Sequence, residues 1–412
     1  MEKLKYRFLW TWDHSTNWSD KNISIQEKGS RNPYHKNPDI FLEDYYLLID
    51  FMKSMDLNGL IIWGFLRDSH GGISYARKII EYAHKKNIKI IPGIGLGAYG
   101  GIYYDGENKY NLRYHILKNP GLSGIDKNGN KRNDILCPSK KENIEWYLEG
   151  INWLFDNFQV DGVNLETGDY GICWCNECKK RRGENETFST EDIKVYLPII
   201  EKINKKSKGS LITVGLYIPP FDKAIEEFLT LPEYIIPQWR LTEIIEKPPI
   251  NYIKQTKKFK KIFFSLPQKE QIGFFHQGSQ WFLNTRHECV VKSIYNGVKL
   301  ARELNLSGLI THGEVSSKNP EWFLNYLAFS YFTKFDAQLE EFSGILNKYT
   351  GGYGKTFLSL LFSGTNRKKL STSIDQAKKY LSKFPQGEKE YILWYYLLQE
   401  LYRRIYLLDQ WR

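Results

Sequence analysis

A carboxylate and three cysteines lie close together in the chain. Glu166 ends an apolar run over residues 160–165, and Cys173, Cys175 and Cys178 follow it. A short apolar run bounded by turn residues predicts a buried strand, so Glu166 is expected at a strand end. A carboxyl group in such a place can act as a general acid or base, and clustered thiolates bind soft metal ions. Packing alone is a poor explanation for this combination.

Eight apolar runs with strand character alternate with helical spacing between residues 6 and 314. This alternation predicts an α/β fold, a (β/α)8 TIM barrel. The alternative is an open doubly wound sheet, but no Gly-x-Gly-x-x-Gly turn follows the first strand. The predicted strands are Tyr6–Trp10, Gly59–Trp63, Ile88–Ile94, residues 160–166, Leu211–Tyr217, Tyr234–Ile236, Lys261–Leu266 and Gly308–His312.

Two stretches depart from this rhythm. Residues 95–138 show no clear helix or strand pattern and are predicted to form a long loop, which in a compact domain is usually functional. After residue 336 the apolar spacing is helical throughout. The sequence therefore predicts a barrel catalytic domain over residues 1–335 and a C-terminal helical region over residues 336–412.

The composition is typical of a soluble globular protein. Of the 412 residues, 42% are hydrophobic and 25% are charged. The net charge is +11, but the lysines are scattered, which favours a solvated surface over nucleic-acid binding. No stretch resembles a secretory signal or a membrane span. Five unevenly spaced cysteines do not predict a disulfide framework, so a reducing, cytoplasmic setting is expected.

The active site of a TIM barrel lies at the C-terminal ends of its strands, which restricts the candidate residues. Glu166 is predicted as the general acid, because a buried carboxyl at the barrel mouth can hold its proton. Its partner is predicted to be Glu314, across the mouth, with Asp13 and Asp169 as alternatives. The predicted substrate-binding residues are Trp12, His14, Trp63, Arg67, Asp68, His70, Asn164, Asp169, Tyr217, Gln238, Trp239 and His312.

This mixture of carboxylates, rings and polar groups is what a sugar-cleaving site requires. Aromatic rings such as Trp12, Trp63 and Trp239 can stack on pyranose faces, while carboxyl groups supply an acid and a base or nucleophile. Asp169 is close enough in sequence to Glu166 to tune the pKa of Glu166 instead. The three histidines could orient a carboxylate or bind a metal ion. The carboxyl separation would decide between retention, at about 5–5.5 Å, and inversion, at about 6.5–9.5 Å.

The cysteine spacing predicts a second, structural site. Cys173-x-Cys175-x-x-Cys178 places three soft ligands in one loop, and Cys137 is expected in the neighbouring loop on the same barrel face. Four thiolates suit a tetrahedral structural Zn²⁺ ion. The alternative is a group of reduced, partly buried thiols. Cys289 is predicted to pack within a helix.

The run Asn164-Leu-Glu166, followed by C-x-C-x-x-C, resembles the fourth strand and following loop of glycoside hydrolase family 42, the zinc-bearing β-galactosidases. The resemblance implies an acid/base role for Glu166 and zinc binding by the four cysteines. It covers one strand and its loop closely, together with the order of the barrel elements.

Two features depart from that family. Its Asn and Glu are adjacent, whereas Leu165 separates them here. Its nucleophilic Glu ends strand seven, where this sequence runs into residues 265–268 and reaches Glu270 only later. β-galactosidase activity is therefore not implied. The segment from Asn319 to Trp322 resembles, more weakly, the helical segment after the barrel in α-glucuronidases and hexosaminidases.

These observations predict a glycosidase of carbohydrate metabolism that cleaves an oligosaccharide or glycoside by carboxylate acid/base chemistry, with no nucleic-acid or membrane partner. The alternative is a non-catalytic carbohydrate-binding barrel that has lost the second carboxylate. The sugar, the linkage and the oligomeric state are left open by the sequence.

Overall fold

The computed structural model describes residues 3–21, 37–167, 172–182, 194–207, 209–215, 228–243, 261, 263–276, 289–364 and 366–410. Its strands are β1 (Tyr6–Trp12), β2 (Gly59–Trp63), β3 (Lys89–Leu96), β4 (Ser123–Ile125), β5 (Lys131–Leu136), β6 (Gly162–Thr167), β7 (Leu211–Gly215), β8 (Ile236–Glu243), β9 (Ile272–His276) and β10 (Gly308–His312). Eight of them close into a parallel barrel in the order β1-β10-β9-β8-β7-β6-β3-β2, and β4 and β5 form an antiparallel pair. The predicted TIM barrel is confirmed.

Helices separate most of these strands along the chain. They are α1 (Pro38–Ser54), α2 (Gly72–Lys85), α3 (Leu112–Lys118), α4 (Lys141–Asn157), α5 (Asn176–Arg182), α6 (Leu197–Lys206), α7 (Val291–Glu303), α8 (Pro320–Lys334), α9 (Phe342–Leu346), α10 (Gly354–Leu361), α11 (Arg367–Leu381) and α12 (Lys389–Gln410). The Asn37 side chain caps α1 by accepting the Asp39 N–H at 2.8 Å. Among the described residues, no helix is long and apolar enough to cross a membrane.

The chain forms two compact units. One consists of Leu4–Arg286 and Gly297–Ser316 and contains the barrel. The other consists of Met1–Lys3, His287–Asn296 and Ser317–Arg412, and contains helices α8–α12. The predicted C-terminal helical region is therefore confirmed, while the predicted domain boundary after residue 335 stays a prediction.

The barrel interior is filled by one face of each strand. Side chains alternate along a strand, and residues paired in register point to the same side. Trp12, for example, pairs with Trp63 on β2, and Trp10 pairs with His312 on β10. The interior apolar cluster comprises Tyr6, Phe8, Trp10, Trp12, Ile61, Trp63, Ile91, Ala98, Tyr99, Ile236, Ile272, Phe274 and Ile310.

The predicted seventh strand, Lys261–Leu266, is wrong. Where this segment is described it is a helical turn, and the seventh barrel strand is β9, several residues later. Phe263 and Leu266 are buried, whereas Phe264 is 58% exposed. A short apolar run fits both a strand and the buried side of a helical turn. Here the described residues adopt the helical turn. Glu270 consequently precedes β9 and accepts hydrogen bonds from Lys5 and Tyr6 at the opposite end of the barrel from the mouth.

Three further expectations need correction. The sixth barrel strand is β8, which extends well beyond the predicted Tyr234–Ile236. The predicted loop over residues 95–138 contains α3 and the β4–β5 hairpin, whose strands are too short to produce a clear alternating pattern. Cys289 lies two residues before α7 rather than within it.

A buried ion cluster joins the ends of β1 and β2. Arg67 donates from Nε to Asp13 Oδ2 at 2.7 Å and from Nη2 to Oδ1 at 3.2 Å. His70 Nδ1 lies 2.8 Å from Asp13 Oδ2, and His14 Nδ1 lies 3.4 Å from Oδ1. Gly64, at φ +78°, makes this approach possible, since a Cβ there would lie 2.2 Å from Asp13 Oδ1.

The cluster holds Asp13 as a carboxylate. Complete burial alone would raise the pKa of Asp13, but the charges of Arg67 and His70 and hydrogen bonds from both histidines lower that pKa well below its ordinary value. The folded state therefore gains stability from the ionised form at pH values above the unfolded pKa of about 3.9. That contribution is lost as the pH falls through the lower folded pKa.

We expect Asp13→Asn to lower the free energy of unfolding by about 3–5 kcal/mol, because it removes the buried counter-charge of Arg67. Urea unfolding at neutral pH measures this loss, and the difference from the unsubstituted protein should shrink below about pH 4. Asp105→Asn is the matched control. Asp105 lies 3.6 Å from Arg67 Nη1 but is 57% exposed, so its substitution should cost less than about 1 kcal/mol. Equal losses for the two variants would contradict the assignment.

Candidate active site at the barrel mouth

Glu166 lies at the C-terminal end of β6 and faces the barrel interior. It is buried, and its register partners on both neighbouring strands are glycines, Gly95 on β3 and Gly215 on β7. A Cβ at Gly215 would lie 3.1 Å from Glu166 Cγ and 3.4 Å from Gln238 Nε2. Glycine at this position therefore leaves room for both side chains at the mouth.

A chain of hydrogen bonds connects Glu166 to four other interior side chains. Gln238 Nε2 on β8 lies 3.3 Å from Glu166 Oε1. Asn164 Nδ2 lies 2.9 Å from Gln238 Oε1 and 2.8 Å from Thr213 Oγ1. Trp63 Nε1 on β2 lies 2.8 Å from Asn164 Oδ1. Four of the predicted site residues are thus in one buried network, which also includes Thr213, a residue that was not predicted.

Glu314 lies two residues beyond β10 and is also buried. Its Oε1 accepts hydrogen bonds from the Trp12 backbone N–H at 3.2 Å and from Ser15 Oγ at 3.4 Å. Its Oε2 lies 3.2 Å from His312 Nδ1, and the His312 ring contacts Trp10 and Phe274 of the interior. These contacts place the carboxylate at the mouth, beside the end of β1.

The two glutamates belong to opposite sides of the barrel. In the closed strand order, β6 and β10 are four positions apart in either direction. Glu166 lies at the C-terminal end of β6, and Glu314 lies just beyond the C-terminal end of β10. Active sites of such barrels lie at these ends of the strands. The predicted acid and its predicted partner therefore occur at opposite points of one rim.

Aromatic rings pack together where β1, β2 and β3 end. The Trp12 ring lies 5.3 Å from Trp63, 5.8 Å from Tyr99 and 5.6 Å from Tyr104. Tyr99 has a positive φ of 52°, an uncommon backbone state for a bulky residue and one often found at functional sites. The glycines at 95, 97, 100 and 101 indicate a tightly turned loop around Tyr99.

One predicted site residue, Trp239, lies away from the mouth. Trp239 faces outward: its ring packs against Phe228 and Phe263, and its Nε1 donates to Gln271 Oε1 at 2.8 Å. Because neighbouring strand residues face opposite sides, Gln238 and Trp239 could not both point inward. The prediction that Trp239 is a sugar platform is therefore wrong.

The remaining predicted residues near β2 contact side chains of neighbouring segments. Asp68 is exposed and accepts a hydrogen bond from the Tyr103 hydroxyl. His70 stacks on Phe41 with ring centroids 4.4 Å apart. Arg67, besides binding Asp13, lies over the Tyr104 ring at 4.5 Å. The predicted residues Asp169 and Tyr217 lie outside the described residues.

The four predicted metal ligands are brought together. The sulfur atoms of Cys137, Cys173, Cys175 and Cys178 all lie within 4.8 Å of one another, so this cluster could hold a metal ion. Cys137 Sγ is 3.7 Å from Cys175 Sγ and 3.8 Å from Cys178 Sγ. A tetrahedral ion with metal–sulfur bonds of about 2.3 Å requires sulfur separations of about 3.8 Å. These two separations fit that geometry.

Two polar side chains contact Cys178, one of the four cysteines. Arg181 donates from Nη1 to Ser139 Oγ at 2.7 Å and from Nη2 to Cys178 Sγ at 3.5 Å. Ser139 Oγ lies 3.1 Å from the same sulfur. Hydrogen bonds from Cys137 and Cys173, with that of Ser139, lower the pKa of the Cys178 thiol. Such donors favour a thiolate, which is the form that binds a metal ion.

Comparisons with known proteins agree on the architecture. No family model matches the chain, and no curated protein matches its sequence. Similar solved structures include a variant O-GlcNAc hydrolase of Thermobaculum terrenum, with 10% identity and a TM-score of 0.56 over 98% of this chain and 82% of that one. A β-N-acetylhexosaminidase of Bacteroides fragilis has 11% identity and a TM-score of 0.51 over 84% and 70%.

A third similar structure is an enzyme of glycoside hydrolase family 138 that targets pectin rhamnogalacturonan II. It shares 11% identity and a TM-score of 0.54 over 92% of this chain and 44% of that one. At such low identity these likenesses establish the fold, which this chain shares with TIM-barrel glycoside hydrolases.

Proposed function

We propose that the chain is a glycosidase-like enzyme that cleaves a glycosidic bond at the barrel mouth. The observation that carries the proposal is the pair of buried carboxyl groups, Glu166 and Glu314, at the ends of opposite strands. Glycoside hydrolysis needs two carboxyl groups that flank the scissile bond. The proposed substrate is an oligosaccharide or glycoside, since the structures similar in fold are an O-GlcNAc hydrolase, a pectin-targeting enzyme and a β-N-acetylhexosaminidase.

Glu166 is proposed as the proton donor. Burial disfavours the charged form of a carboxyl group, which helps it to hold a proton for the leaving oxygen. Trp12, Trp63 and Tyr99 are proposed to form the apolar floor on which the sugar rests, instead of the separate platforms that the sequence suggested.

Glu314 is proposed as the second carboxyl group, acting as base or nucleophile. One alternative, Asp13, is less suited to this role because both of its oxygens are occupied by Arg67 and two histidines. Asp13 is better explained as a residue that holds the ends of β1 and β2 in place.

The four cysteines are proposed to bind one structural Zn²⁺ ion. Cys137 follows β5, and the other three cysteines follow β6, so the ion would brace the loops beside Glu166. Zinc held by four thiolates has no open coordination position, and its contribution is to stability, not to the reaction. A cytoplasmic location is proposed because the uneven cysteine spacing does not predict a disulfide framework.

One observation favours the rival function, a carbohydrate-binding barrel without turnover. In the family that the sequence resembles, the nucleophile ends strand seven. The described part of β9 ends at His276 without a carboxylate, and Glu270 lies at its other end. A panel of aryl glycosides and oligosaccharides, studied by calorimetry and product analysis, separates the two functions. Binding with products supports the enzyme, while binding without products supports the rival.

We expect Glu166→Gln to reduce kcat about 10²–10⁴-fold on any glycoside that is cleaved, because the amide cannot donate the catalytic proton. The loss should be smaller for substrates whose leaving group needs no protonation. Glu149→Gln on α4 is the control, since that side chain is 67% exposed, and its activity should match that of the unsubstituted enzyme. Full activity of Glu166→Gln would remove Glu166 from this role.

We expect the purified protein to contain about one zinc ion per chain by mass spectrometry of the metal content. Cys178→Ser should lose most of this zinc and unfold at a lower temperature, because one of four ligands is weakened. Cys289→Ser is the matched control and should retain the ion. Equal zinc content in the two variants, or its absence from the unsubstituted protein, would contradict the proposed site.

A further inference from the structure

The buried hydrogen-bond network at the mouth has a fixed direction. It begins at Trp63, whose indole N–H can only donate. The group that faces this N–H at 2.8 Å must therefore be the amide oxygen of Asn164. The Asn164 NH₂ group consequently faces Thr213 Oγ1 and Gln238.

The same reasoning continues to the carboxyl group. Because Asn164 presents hydrogens to Gln238, the Gln238 amide oxygen must face Asn164, at 2.9 Å. The Gln238 NH₂ group is then the end that faces Glu166 Oε1, at 3.3 Å. Amide oxygen and nitrogen atoms have nearly the same shape, so a donor-only residue at one end is what sets the orientation of both amides.

We propose that Gln238 is a positioning residue for Glu166: its NH₂ group donates to Oε1 of Glu166 and so fixes the orientation of the carboxyl group. Oε1 is thereby held as a hydrogen-bond acceptor. The catalytic meaning of this assignment rests on the proposed function, but the orientation itself does not.

The surrounding strands enforce this contact. Glu166 and Gln238 lie on β6 and β8, with β7 between them. The intervening residue, Gly215, is register-paired with both, and a side chain there would enter the space that they share. Glycine thus allows two side chains from non-adjacent strands to meet.

The contact also affects how readily Glu166 ionises. A donor to a carboxyl oxygen favours the charged form, whereas burial favours the neutral form. Gln238 therefore opposes the effect of burial, and removing its N–H donor should raise the pKa of Glu166. Hydrogen bonds to charged groups are strong enough to predict a shift of about one unit or more.

The test is a direct titration of Glu166 in Gln238→Met and in Gln238→Glu. Carbon NMR of protein labelled at the glutamate carboxyl follows the titration, and the signal missing from Glu166→Gln identifies the residue. Met keeps the side-chain length without a donor, and Glu places a second carboxyl group against the first. We expect an upward pKa shift in both variants, so the test survives if one of them fails to fold.

Gln271→Met provides the matched control, because Gln271 accepts from Trp239 on the outer side of the barrel. It should leave the titration of Glu166 unchanged. If neither Gln238 variant shifts the pKa upward, or if Gln271→Met shifts it equally, the inference is overturned. The titration needs no substrate, so its outcome is independent of whether a glycoside is cleaved. With a cleaved glycoside, the basic limb of the kcat–pH profile should move in the same direction.

Discussion

In a closed barrel each strand presents only every second residue to the interior, and this period determines which polar side chains can meet. Asn164 and Glu166 share the inner face of β6 because one residue, Leu165, separates them. Adjacent residues of a regular strand would point to opposite sides. The same rule puts Gln238 in the network and Trp239 in the outer apolar layer. The spacing that departs from the family 42 pattern therefore places an amide and a carboxyl group on the same inner face of β6, where Gln238 links them.

The two-residue alternation of side chains along a strand also explains how much of the structure the sequence could predict. The barrel followed from the alternation of strands and helices, and Glu166, Asn164 and Glu314 followed from the rule that sites lie at strand ends. The seventh strand could not be placed, because the apolar residues 261–266 fit a helical turn equally well. Glu270 follows that predicted strand in sequence, whereas in the structure it precedes β9 at the base of the barrel. Trp239 could have been excluded by applying the alternation to β8.

Other parts of the site depend on contacts that no sequence pattern encodes. Thr213 is one of several residues in an ordinary strand, and its role appears only when β7 lies beside β6. Asp13 and Arg67 are far apart in the chain and meet because β1 and β2 are neighbours. Their mutual neutralisation favours a connecting role for Asp13, although its place after β1 is compatible with catalysis. Burial and pairing are tertiary properties that the sequence pattern does not show.

The cysteine cluster shows how one distant contact can matter more than several local ones. Cys173, Cys175 and Cys178 belong to one short segment, so bringing them together restricts the chain little. Cys137 is 38 residues from Cys175 and 41 from Cys178. Closing the longer loop costs about 2 kcal/mol more in chain entropy than closing the local one.

A group that joined all four sulfur atoms would act mainly by holding Cys137. Backbone hydrogen bonds already hold these segments close to one another. The Trp174 N–H donates to Ile125 O at 2.7 Å, and the Cys137 N–H donates to Leu122 O at 3.1 Å. The β4–β5 hairpin, in a region that the sequence indicated as loop, is thus attached on both sides to the cluster. The described segment that begins at residue 172 is therefore held by a folded insertion.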